Sequence, residues 1–506
     1  MNLYENLATE LKDAIRQGLY PPGERVPSVR RLSEQRRVSQ ATVVAAYRLL
    51  ESHGWLEARP QSGFFARQPE TAPPPARATE MVDGPCAVDV TELAMRLSRN
   101  TQRKDLISLG AAVPHPDFLP LKDLRASLNR CLRGNADVGS RYSFPPGEES
   151  LRLRIARRAA DSGCSFAPDD IVVTDGCQEA LNLALRAVAK AGDIIAIETP
   201  AFFGTLQAIE SLGMRALEIP SDPDTGISLE ALTLALDRWP VKAVAVVANF
   251  SNPTGSLMPD GHKAKLVKTL ATRGIPLIED DIYGDLAHGR ERPRAAKAYD
   301  RDGNVLLCSA ISKSIAPGYR VGWIVAGRWR KAVEHLKYVG TMANATLPQL
   351  AIADYLADSR YERHLARVRR AYADNLARMQ AAIHHYFPVG THASRPGGGF
   401  VLWVELPERS QGERDTLALY EKALAAGISF TPGRLFSPQA KYGNCLRLAA
   451  ALPWDARVEA ALAELGRLAG RGCAPGARPA LRRDRPDEGR TRLAQKKVQV
   501  LARANS

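Results

Sequence analysis

The stretch NVLLCSAISKSIAPGYRVGW, residues 304–323, joins a short apolar run to a loop that carries Lys313 and Arg320. A run of Val and Leu of this length, bounded by turn residues, is typical of a strand buried in the middle of a sheet. The two basic residues follow directly after it. Because open α/β sheets bind ligands beyond the carboxyl ends of their strands, we predict a ligand site beside this loop.

Four further apolar runs share this length and composition, with helical patterns between them. They are DIVVT (170–174), DIIAIE (193–198), VKAVAVV (241–247) and IPLIED (275–280). Short strands rich in Val, Ile and Leu, separated by helices, indicate a mainly parallel sheet that is covered on both faces. The sequence therefore predicts an α/β fold from about residue 105 to about residue 469.

Chemically useful side chains follow three of these strands and recur in a fourth segment. The segments are SNPTG (251–255), IEDDIYGD (278–285), SAISKSIAPGYRVGW (309–323) and NCLRL (444–448). Together they carry the groups that pyridoxal phosphate (PLP) requires. These are a lysine that forms an imine and a carboxylate that keeps the pyridine nitrogen protonated. We therefore predict PLP as the cofactor.

Each candidate residue in these segments has a chemical reason. Lys313 is the candidate for the imine, and Asp280 is the candidate partner of the ring nitrogen. Tyr283 and Asn252 can donate hydrogen bonds to the phenolic oxygen of the ring. The guanidinium fork of Arg320 suits the phosphate. We predict that Lys313, Asp280 and Tyr283 are also the catalytic groups of any reaction at this site.

Arg447 and a turn near residue 176 complete the predicted site. The guanidinium of Arg447 can bind an incoming carboxylate through two hydrogen bonds. In VVTDGCQEALNLAL, the N–H groups of Gly176, Cys177 and Gln178 open a helix after a strand and can bind the phosphate. Taken singly, such residues are more often solvated or packed in a core, and SNPTG can be a turn that binds nothing. The prediction depends on the segments occurring together.

Residues from about 105 to 469 resemble the fold-type I aminotransferases, because the four segments have that family's order and spacing. The resemblance implies a large PLP-binding domain with a smaller C-terminal α+β subdomain. It implies that Phe202 stacks on the cofactor ring and that Ser312 helps to bind the phosphate. It also implies a homodimer in which Tyr142 reaches the phosphate of the partner subunit. Ala310 is a departure, since the family often has serine there.

The first 67 residues have a different pattern. Apolar residues in the segment 3–15 recur at helical spacing, and Ser28 and Ser39 are the predicted N-caps of a second and a third helix. Segments 55–57 and 63–65 have the composition of two short strands. Two short helices joined by a tight turn and followed by a hairpin have the layout of a winged helix-turn-helix.

On this layout, the first turn of the third helix enters the major groove of DNA. Ser39, Gln40 and Thr42 then face the base edges. Arg30 and Arg31, on the preceding helix, can bind phosphate or guanine. The sequence therefore predicts double-stranded operator DNA as a partner.

A small helical dimerisation domain with solvated arginines has the same helix spacing and is the alternative. Residues 3–66 closely resemble the GntR-type winged helix, and this favours DNA binding. The resemblance implies that Gly63 of the wing also lies at the DNA surface. Gln40 stands where the family often has arginine, which leaves the base preference open.

Composition separates the remaining parts of the chain. QPETAPPPARATEMVDGP, residues 68–85, has the Pro and Ala content of an extended linker. Residues 471–506 carry ten Lys and Arg against three Asp and Glu, without aromatic residues. We predict a disordered tail, with nonspecific DNA binding as the alternative. The predicted domains are a DNA-binding domain (1–67), a linker with a connecting helix (68–104), a PLP-binding domain (105–470) and the tail.

Half of the net charge of +14 comes from this tail, and the seven cysteines form no CxxC pair. A scattered, odd number of cysteines in a large chain fits reduced thiols. The N-terminus lacks the apolar region of a signal peptide, and the chain contains no run of 18 apolar residues. We therefore expect a soluble cytoplasmic protein without a membrane span or a metal site.

The order of winged helix, Pro-rich linker and aminotransferase-like domain is similar to that of the MocR-type regulators of the GntR family. This resemblance implies a transcription regulator that binds operator DNA as a dimer and senses PLP or its adduct with an amino acid or amine. The alternative is a working aminotransferase with the winged helix as an accessory, because the residues that transamination needs are all present. The complete winged helix favours the regulator.

Overall fold

The computed structural model describes residues 3–16, 19–21, 23–52, 55–59, 62–67, 73–79, 84–100, 103–134, 137–289, 291–408 and 415–470. The predicted tail and parts of the predicted linker lie outside these ranges.

The described residues form fifteen α-helices and sixteen strands. The helices are α1 (Leu3–Arg16), α2 (Val29–Arg36), α3 (Gln40–Ser52), α4 (Thr91–Asn100), α5 (Leu121–Gly134), α6 (Glu149–Arg158), α7 (Cys177–Val188), α8 (Phe203–Ser211), α9 (Leu229–Arg238), α10 (Asp260–Thr272), α11 (Arg330–Thr341), α12 (Thr346–Leu356), α13 (Arg360–Tyr386), α14 (Thr416–Ala425) and α15 (Ala456–Gly470). The strands are β1 (Leu56–Arg59), β2 (Gly63–Ala66), β3 (Ile107–Ser108), β4 (Ile171–Thr174), β5 (Ile194–Thr199), β6 (Arg215–Asp222), β7 (Gly226–Ile227), β8 (Val241–Val246), β9 (Leu277–Asp280), β10 (Val305–Ala310), β11 (Gly322–Val325), β12 (His392–Ala393), β13 (Val401–Glu405), β14 (Ile428–Ser429), β15 (Thr431–Pro432) and β16 (Cys445–Ala449). None of these helices is long and apolar enough to cross a membrane.

Helices α1 to α3 and strands β1 and β2 form the predicted winged helix. α3 packs on α1 and α2, and β1 pairs with β2 in an antiparallel hairpin. The core includes Leu11, Leu32 and Tyr47. The hydroxyl of Tyr47 donates to the carbonyl of Pro27 at 2.6 Å, and its ring lies edge-on to Phe64. Tyr47 therefore joins the recognition helix to both the turn before α2 and the wing.

Both predicted N-caps are present in this domain. The hydroxyl of Ser28 accepts a hydrogen bond from the backbone N–H of Arg31 at 3.3 Å, and that of Ser39 accepts from Thr42 N at 3.1 Å. Each cap satisfies one of the N–H groups that a helix start leaves unpaired. Between the two helices Arg37 has a φ of 52°, in the left-handed region, which reverses the chain within a short turn.

The large sheet has the strand order β4-β11-β10-β9-β8-β5-β6-β7. Strands β6, β5, β8, β9 and β10 are parallel to their neighbours in this series. β11 is antiparallel to both β10 and β4, and β7 is antiparallel to β6. The prediction of a mainly parallel sheet is confirmed. β11 reverses direction because only residues 311–321 connect it to β10, and short connections suit antiparallel neighbours.

Successive side chains of β5 point to opposite faces of this sheet. Ile195 and Ile197 belong to the core that also contains residues of α7 and α8. Ile194 and Ala196 belong to a second core, which includes Leu266 of α10 and residues of α9. Helices therefore cover both faces, and this explains why the central strands contain continuous apolar runs rather than alternating patterns.

A second, smaller sheet follows the large domain, with the order β12-β13-β16-β15 and antiparallel pairing throughout. In its register Arg447 of β16 stands opposite Trp403 of β13 and Thr431 of β15. The side chain of Arg447 is buried. This sheet thus carries the predicted carboxylate-binding residue on its central strand.

Candidate functional site

A cavity of about 350 Å³ lies where the carboxyl ends of the parallel strands meet the smaller sheet. Its walls include side chains from all four sequence segments: Asn252, Asp280, Lys313 and Arg447. Tyr283, Ser312, Arg320, Phe202, Cys177 and Gln178 also line it. The fold therefore brings together residues that are up to 270 positions apart in the chain.

Asp280 is the last residue of β9 and is buried at the base of the cavity. Its Oδ1 accepts hydrogen bonds from the backbone N–H of Ile282 at 3.1 Å and from the thiol of Cys177 at 3.3 Å. Burial raises the pKa of Asp280 to about 6, although these bonds and the nearby charge of Lys313 oppose that shift. Asp280 has no ion-pair partner among the described residues. Its carboxylate is therefore available to pair with a protonated pyridine nitrogen.

Lys313 lies in the loop after β10, and its half-buried side chain lines the cavity. Its Nζ donates to the carbonyl of Ala112 at 2.7 Å. Burial, followed by the charge of Arg447, lowers the pKa of Lys313 to about 8, while Asp280 opposes that shift. A lysine with this pKa is neutral, and therefore nucleophilic, in a much larger fraction than an ordinary lysine at neutral pH.

Gly176 and Arg320 meet at the start of α7. Gly176 has a φ of +84°, and a Cβ on it would lie 2.4 Å from the guanidinium of Arg320. Arg320 itself is in the left-handed region and donates to the carbonyl of Asp175 at 2.7 Å. The absence of a side chain at Gly176 lets the guanidinium approach the first turn of the helix. A guanidinium beside helix N–H groups is a favourable place for a phosphate.

Arg447 lines the cavity, and its guanidinium donates three hydrogen bonds to neutral acceptors. It donates to Asn252 Oδ1 at 2.9 Å, to the carbonyl of Gly110 at 2.5 Å and to Thr431 Oγ1 at 3.1 Å. Its Nε has no hydrogen-bond partner, and burial lowers the pKa of Arg447 to about 10. No carboxylate pairs with Arg447 among the residues that the structure describes, so its charge is available to a ligand.

Tyr283 and Asn252 lie close together in the same cavity. The hydroxyl of Tyr283 is buried and makes no hydrogen bond of ordinary geometry. Burial raises the pKa of Tyr283, and the nearby side chain of Asn252 offsets a smaller part of that rise. The Oδ1 atom of Asn252 accepts from Arg447, which leaves its amide hydrogens for another acceptor. Both residues thus have donors to offer to a ligand.

Phe202 and Tyr142 have different positions. Phe202 caps α8 and lines the cavity, as a ring that stacks on a cofactor must. Tyr142 does not line the cavity; it is 70% exposed, and its ring lies 5.4 Å from that of Phe144. Phe144 in turn lies 6.0 Å from Tyr338. Its predicted role concerns a partner subunit and stays a prediction.

Sequence reasoning missed part of the site. It selected Cys177 for its backbone N–H, which stays a prediction, and did not anticipate that the thiol donates to Asp280. It also assigned no residue of α4 to the site, although Ala94, Leu97 and Ser98 line the cavity. A helix between a Pro-rich linker and a large domain is easily taken for a simple connection. The sequence of α4 shows which of its faces is apolar, but it does not show that this face lines the cavity. The described residues contain no group of three or more metal-binding side chains.

The predicted DNA-binding residues lie at the surface of the winged helix, apart from Thr42 and Gly63, which are half-buried. Arg30 and Arg31 are exposed on α2, and Gln40 is exposed on the first turn of α3. The hydroxyl of Ser39, besides capping α3, lies 2.8 Å from that of Thr42.

Gly63 begins the second strand of the wing with a φ of +97°. A Cβ at this position would lie 3.3 Å from the guanidinium of Arg25. Sequence analysis did not select Arg25, which this contact places on the wing. The absence of a side chain at Gly63 therefore allows the hairpin to turn and lets the guanidinium of Arg25 lie close to the wing.

The donor set of the cavity fits PLP. The buried carboxylate of Asp280, which has no ion-pair partner among the described residues, suits the ring nitrogen, and Lys313, with its lowered pKa, suits the carbonyl. The buried hydroxyl of Tyr283 suits the phenolic oxygen, and the basic start of α7 suits the phosphate. The fold and this cavity define a fold-type I aminotransferase-like protein with an attached winged helix.

Comparisons with known proteins agree with this class. The family model for aminotransferase class I and II matches residues 104–465, and that for bacterial regulatory proteins of the gntR family matches residues 3–66. Two uncharacterised HTH-type transcriptional regulators of Escherichia coli K12 are similar over most of their length. YjiR is 39% identical over 92% of this chain and 98% of its own, and YdcR is 38% identical over 92% and 99%.

A solved structure shows the same relationship for the larger domain alone. The kynurenine aminotransferase of Pyrococcus horikoshii has a TM-score of 0.70 and 27% identity, over 76% of this chain and 95% of its own. The chain therefore belongs to the aminotransferase class I and II family. With its GntR-type winged helix, it is a member of the MocR-type transcription regulators.

Proposed function

We propose that this regulator binds operator DNA and responds to PLP, or to an amino acid bound to PLP, through its aminotransferase-like domain. The observation that carries the proposal is Arg447, which is buried in the cavity without a carboxylate partner among the described residues. A buried guanidinium without a counter-ion is unfavourable unless a ligand supplies one. An amino acid supplies that carboxylate together with an amine for the cofactor.

When bound, PLP supplies a carbonyl carbon that bonds covalently to amines and a ring that withdraws electrons. Lys313 holds the cofactor through Nζ, and its lowered pKa of about 8 favours the neutral amine that forms this bond. Asp280 would accept a hydrogen bond from the ring nitrogen and so keep that nitrogen protonated. If the amine of an amino acid took the place of Lys313 on the cofactor, the freed Nζ would be a base that can accept a proton.

The other cavity residues hold the cofactor in place. Arg320, Ser312 and the first N–H groups of α7 bind the phosphate. Tyr283 and Asn252 donate to the phenolic oxygen, and this interaction would satisfy the buried hydroxyl of Tyr283. Phe202, Cys177 and Gln178 line the same space; Gln178 is oriented by donating to the carbonyl of Gly204 at 2.7 Å.

We also propose a homodimer. Tyr142, Phe144 and Tyr338 form an exposed aromatic patch on one chain, and Val339 and Met342 near Tyr338 are 67% and 47% exposed. Contiguous exposed apolar side chains mark interaction surfaces. A second copy on this patch would bury these rings and bring Tyr142 to the phosphate of its partner subunit.

The winged helix is the proposed DNA-binding domain. Gln40 and Thr42 at the start of α3 face base edges in the major groove, with Ser39 as the cap that fixes that turn. Arg30 and Arg31 contact phosphate or guanine from α2. The wing, which turns at Gly63, lies beside the groove. Because operator DNA is cytoplasmic in bacteria, we propose that the protein acts in the cytoplasm. We also propose domain bounds of 1–67, 68–104 and 105–470, followed by a tail (471–506).

Replacing Arg30 with alanine is expected to weaken binding to an operator duplex about 10- to 100-fold, the range for the loss of one good base contact. The guanidinium is free to bind DNA because its ion pair with Glu34, at 3.2 Å, is 82% and 68% exposed and therefore weak. The operator would be selected from random duplexes by the purified protein. Fluorescence anisotropy at a fixed salt concentration would measure its affinity.

Arg457→Ala is the matched control, since Arg457 also forms an exposed ion pair, with Asp455 at 2.8 Å, but lies on α15. This control should bind the operator as the wild type does. The absorbance of the bound cofactor should be the same in both variants. Unchanged sequence-specific binding by Arg30→Ala would contradict this docking of the winged helix.

Transamination is a second candidate function, favoured by the complete set of Lys313, Asp280, Tyr283 and Arg447 in one cavity. On this alternative, Lys313 also moves a proton between the carbon of the amino acid and the cofactor, and the winged helix is an accessory. Release of keto acid over many turnovers, without an effect of the amino acid on operator binding, would favour the enzyme over the regulator.

A further inference from the structure

Helix α4 forms one wall of the cavity. Ala94, Leu97 and Ser98 line it, and Ala94 and Leu97 are 2% and 8% exposed. Tyr420 of α14 and Phe430 line the same cavity. α4 follows the linker from the DNA-binding domain, so the cavity wall includes the helix that is closest in sequence to that linker.

The chemistry of the cavity restricts its ligand. Its charged lining residues are Asp280, Lys313, Arg320 and Arg447, within the part of the chain that the structure describes. Asp280, Lys313 and Arg320 are already paired with the cofactor in the proposed function. Arg447 is paired with the α-carboxylate of the ligand. The rest of the described wall carries no charge: apart from the amides of Asn252 and Gln178 and the thiol of Cys177, it is apolar or carries hydroxyl groups, and Leu97 is one of its members. A second charge on the ligand would have no partner there, and a buried charge without a partner is strongly disfavoured.

Both ends of α4 are attached to elements that line the cavity. At its start, Glu210 Oε2 accepts hydrogen bonds from Val90 N at 3.0 Å, Thr91 N at 3.1 Å and the hydroxyl of Thr91 at 2.9 Å. Glu210 lies on α8, the helix that begins beside Phe202. At its end, Asn100 Nδ2 donates to the hydroxyl of Tyr420 at 2.8 Å. A ligand in the cavity thus acts on a helix that is held at both ends.

The chain before α4 is also bound to the large domain. Cys86 exchanges two backbone hydrogen bonds with Ala216, each of 2.9 Å, and so extends the sheet beside β6. Further upstream, Ala393 N of β12 donates to the carbonyl of Pro74 at 2.9 Å. The described stretches 73–79 and 84–90 are therefore each bound to the large domain. Residues 84–90 lead directly into α4, so a change at α4 acts first on this stretch.

We propose that α4 selects effector amino acids with apolar side chains, through Leu97 and its neighbours, and that binding of such an amino acid in the cavity changes the order of α4 and of residues 84–90, the described stretch that precedes it on the side of the DNA-binding domain. The proposal rests on the proposed function. A ligand alters DNA binding through this stretch only if it stabilises one arrangement of the stretch more than another.

The first test uses the full chain loaded with PLP and titrated with L-leucine, L-phenylalanine, L-glutamate and L-lysine, while the absorbance of the bound cofactor is recorded. L-leucine and L-phenylalanine should bind at least about tenfold more tightly than the two charged amino acids. Leu97→Ala should weaken L-leucine about fivefold or more, because apolar contact is lost. Met95→Ala is the control, since Met95 is on the same helix but is 50% exposed and does not line the cavity.

The second test measures this change in order by hydrogen exchange. L-leucine should slow exchange in segment 84–100 of the wild type. Glu210→Ala, which removes three hydrogen bonds from the start of α4, should reduce that protection and the effect of L-leucine on operator affinity. Thr91→Val, which removes one of the three, is the milder variant should Glu210→Ala fail to fold.

The outcomes separate this inference from the proposed function. If none of the amino acids changed the absorbance of the bound cofactor, the response to amino acids in the proposed function would fail, and the inference would fail with it. A response that is tightest for L-glutamate or L-lysine, or an unaltered response in Leu97→Ala, would leave the proposed function standing and overturn selection by α4. Unchanged exchange in segment 84–100 would overturn the proposed change in order.

Discussion

Replacing Lys313 with alanine is expected to abolish covalent attachment of PLP and, with it, any response to amino acids. Lys313 is the lysine that lines the cavity; its side chain is half-buried, and desolvation lowers its pKa to about 8. Borohydride reduction followed by intact-mass measurement should add one pyridoxyl phosphate to the wild type and none to the variant. Circular dichroism should be the same for both, because the side chain makes one hydrogen bond, to Ala112.

Lys331→Ala is the control for this experiment, since Lys331 is exposed on α11 and outside the cavity. It should take up the cofactor as the wild type does. If Lys313→Ala still gained a borohydride-stable adduct at one site, another lysine would hold the cofactor and the assigned site would be wrong.

The lowered pKa of Lys313 also predicts a pH dependence for attachment. The neutral amine is the reactive form, and it increases as the pH rises through the pKa. The rate of PLP uptake should therefore rise with a midpoint near pH 8, whereas an ordinary lysine would still be mostly protonated there. A midpoint close to the ordinary lysine value of about 10.4 would contradict the burial of this amine in solution.

Replacing Arg447 with methionine is expected to weaken amino-acid binding at least about 30-fold, while PLP still attaches. Loss of one partner of a buried charge pair costs about 2–5 kcal/mol. Folding should change little, because the three hydrogen bonds lost to neutral acceptors are offset by removal of a buried charge that has no carboxylate partner among the described residues. Titration with L-leucine, followed by the absorbance of the bound cofactor, measures the affinity, and thermal unfolding measures stability.

Arg447→Lys separates charge from geometry. A lysine keeps the positive charge but cannot bind a carboxylate in the bidentate way, so it should restore only part of the affinity. An amine without a carboxylate should lose little affinity in either variant. If Arg447→Met bound L-leucine as the wild type does, the carboxylate would be held elsewhere. A large loss of thermal stability would instead indicate a structural role for Arg447.

Much of the fold could be predicted from local pattern. The five predicted strands of the large domain are β4, β5, β8, β9 and β10, and each lies within one residue or two of its predicted run. Their runs are mostly apolar because both faces of the sheet are covered; Lys242, which is exposed near the start of β8, is an exception. β6 and β11 were not predicted: β6, RALEIPSD, contains charged residues and a proline, and β11, GWIV, is short and begins with glycine.

The site was predictable in composition but not in its contacts. Lys313, Asp280 and Arg447 could be selected because each residue type answers a requirement of the cofactor or its ligand. The bond from Cys177 to Asp280 and the wall formed by α4 depend on how distant segments pack. Residue types and spacing contain no information about such contacts.

Operator affinity as a function of the amino acid, with keto acid assayed in the same samples, distinguishes a regulator from an enzyme. The selected operator would be titrated with PLP-loaded protein in the presence and absence of L-leucine. Regulation predicts a change in operator affinity of about 5- to 150-fold, the usual range of allosteric coupling, without keto acid accumulating over many turnovers. Unchanged operator affinity with steady release of keto acid would contradict it and make the chain an aminotransferase that carries a winged helix.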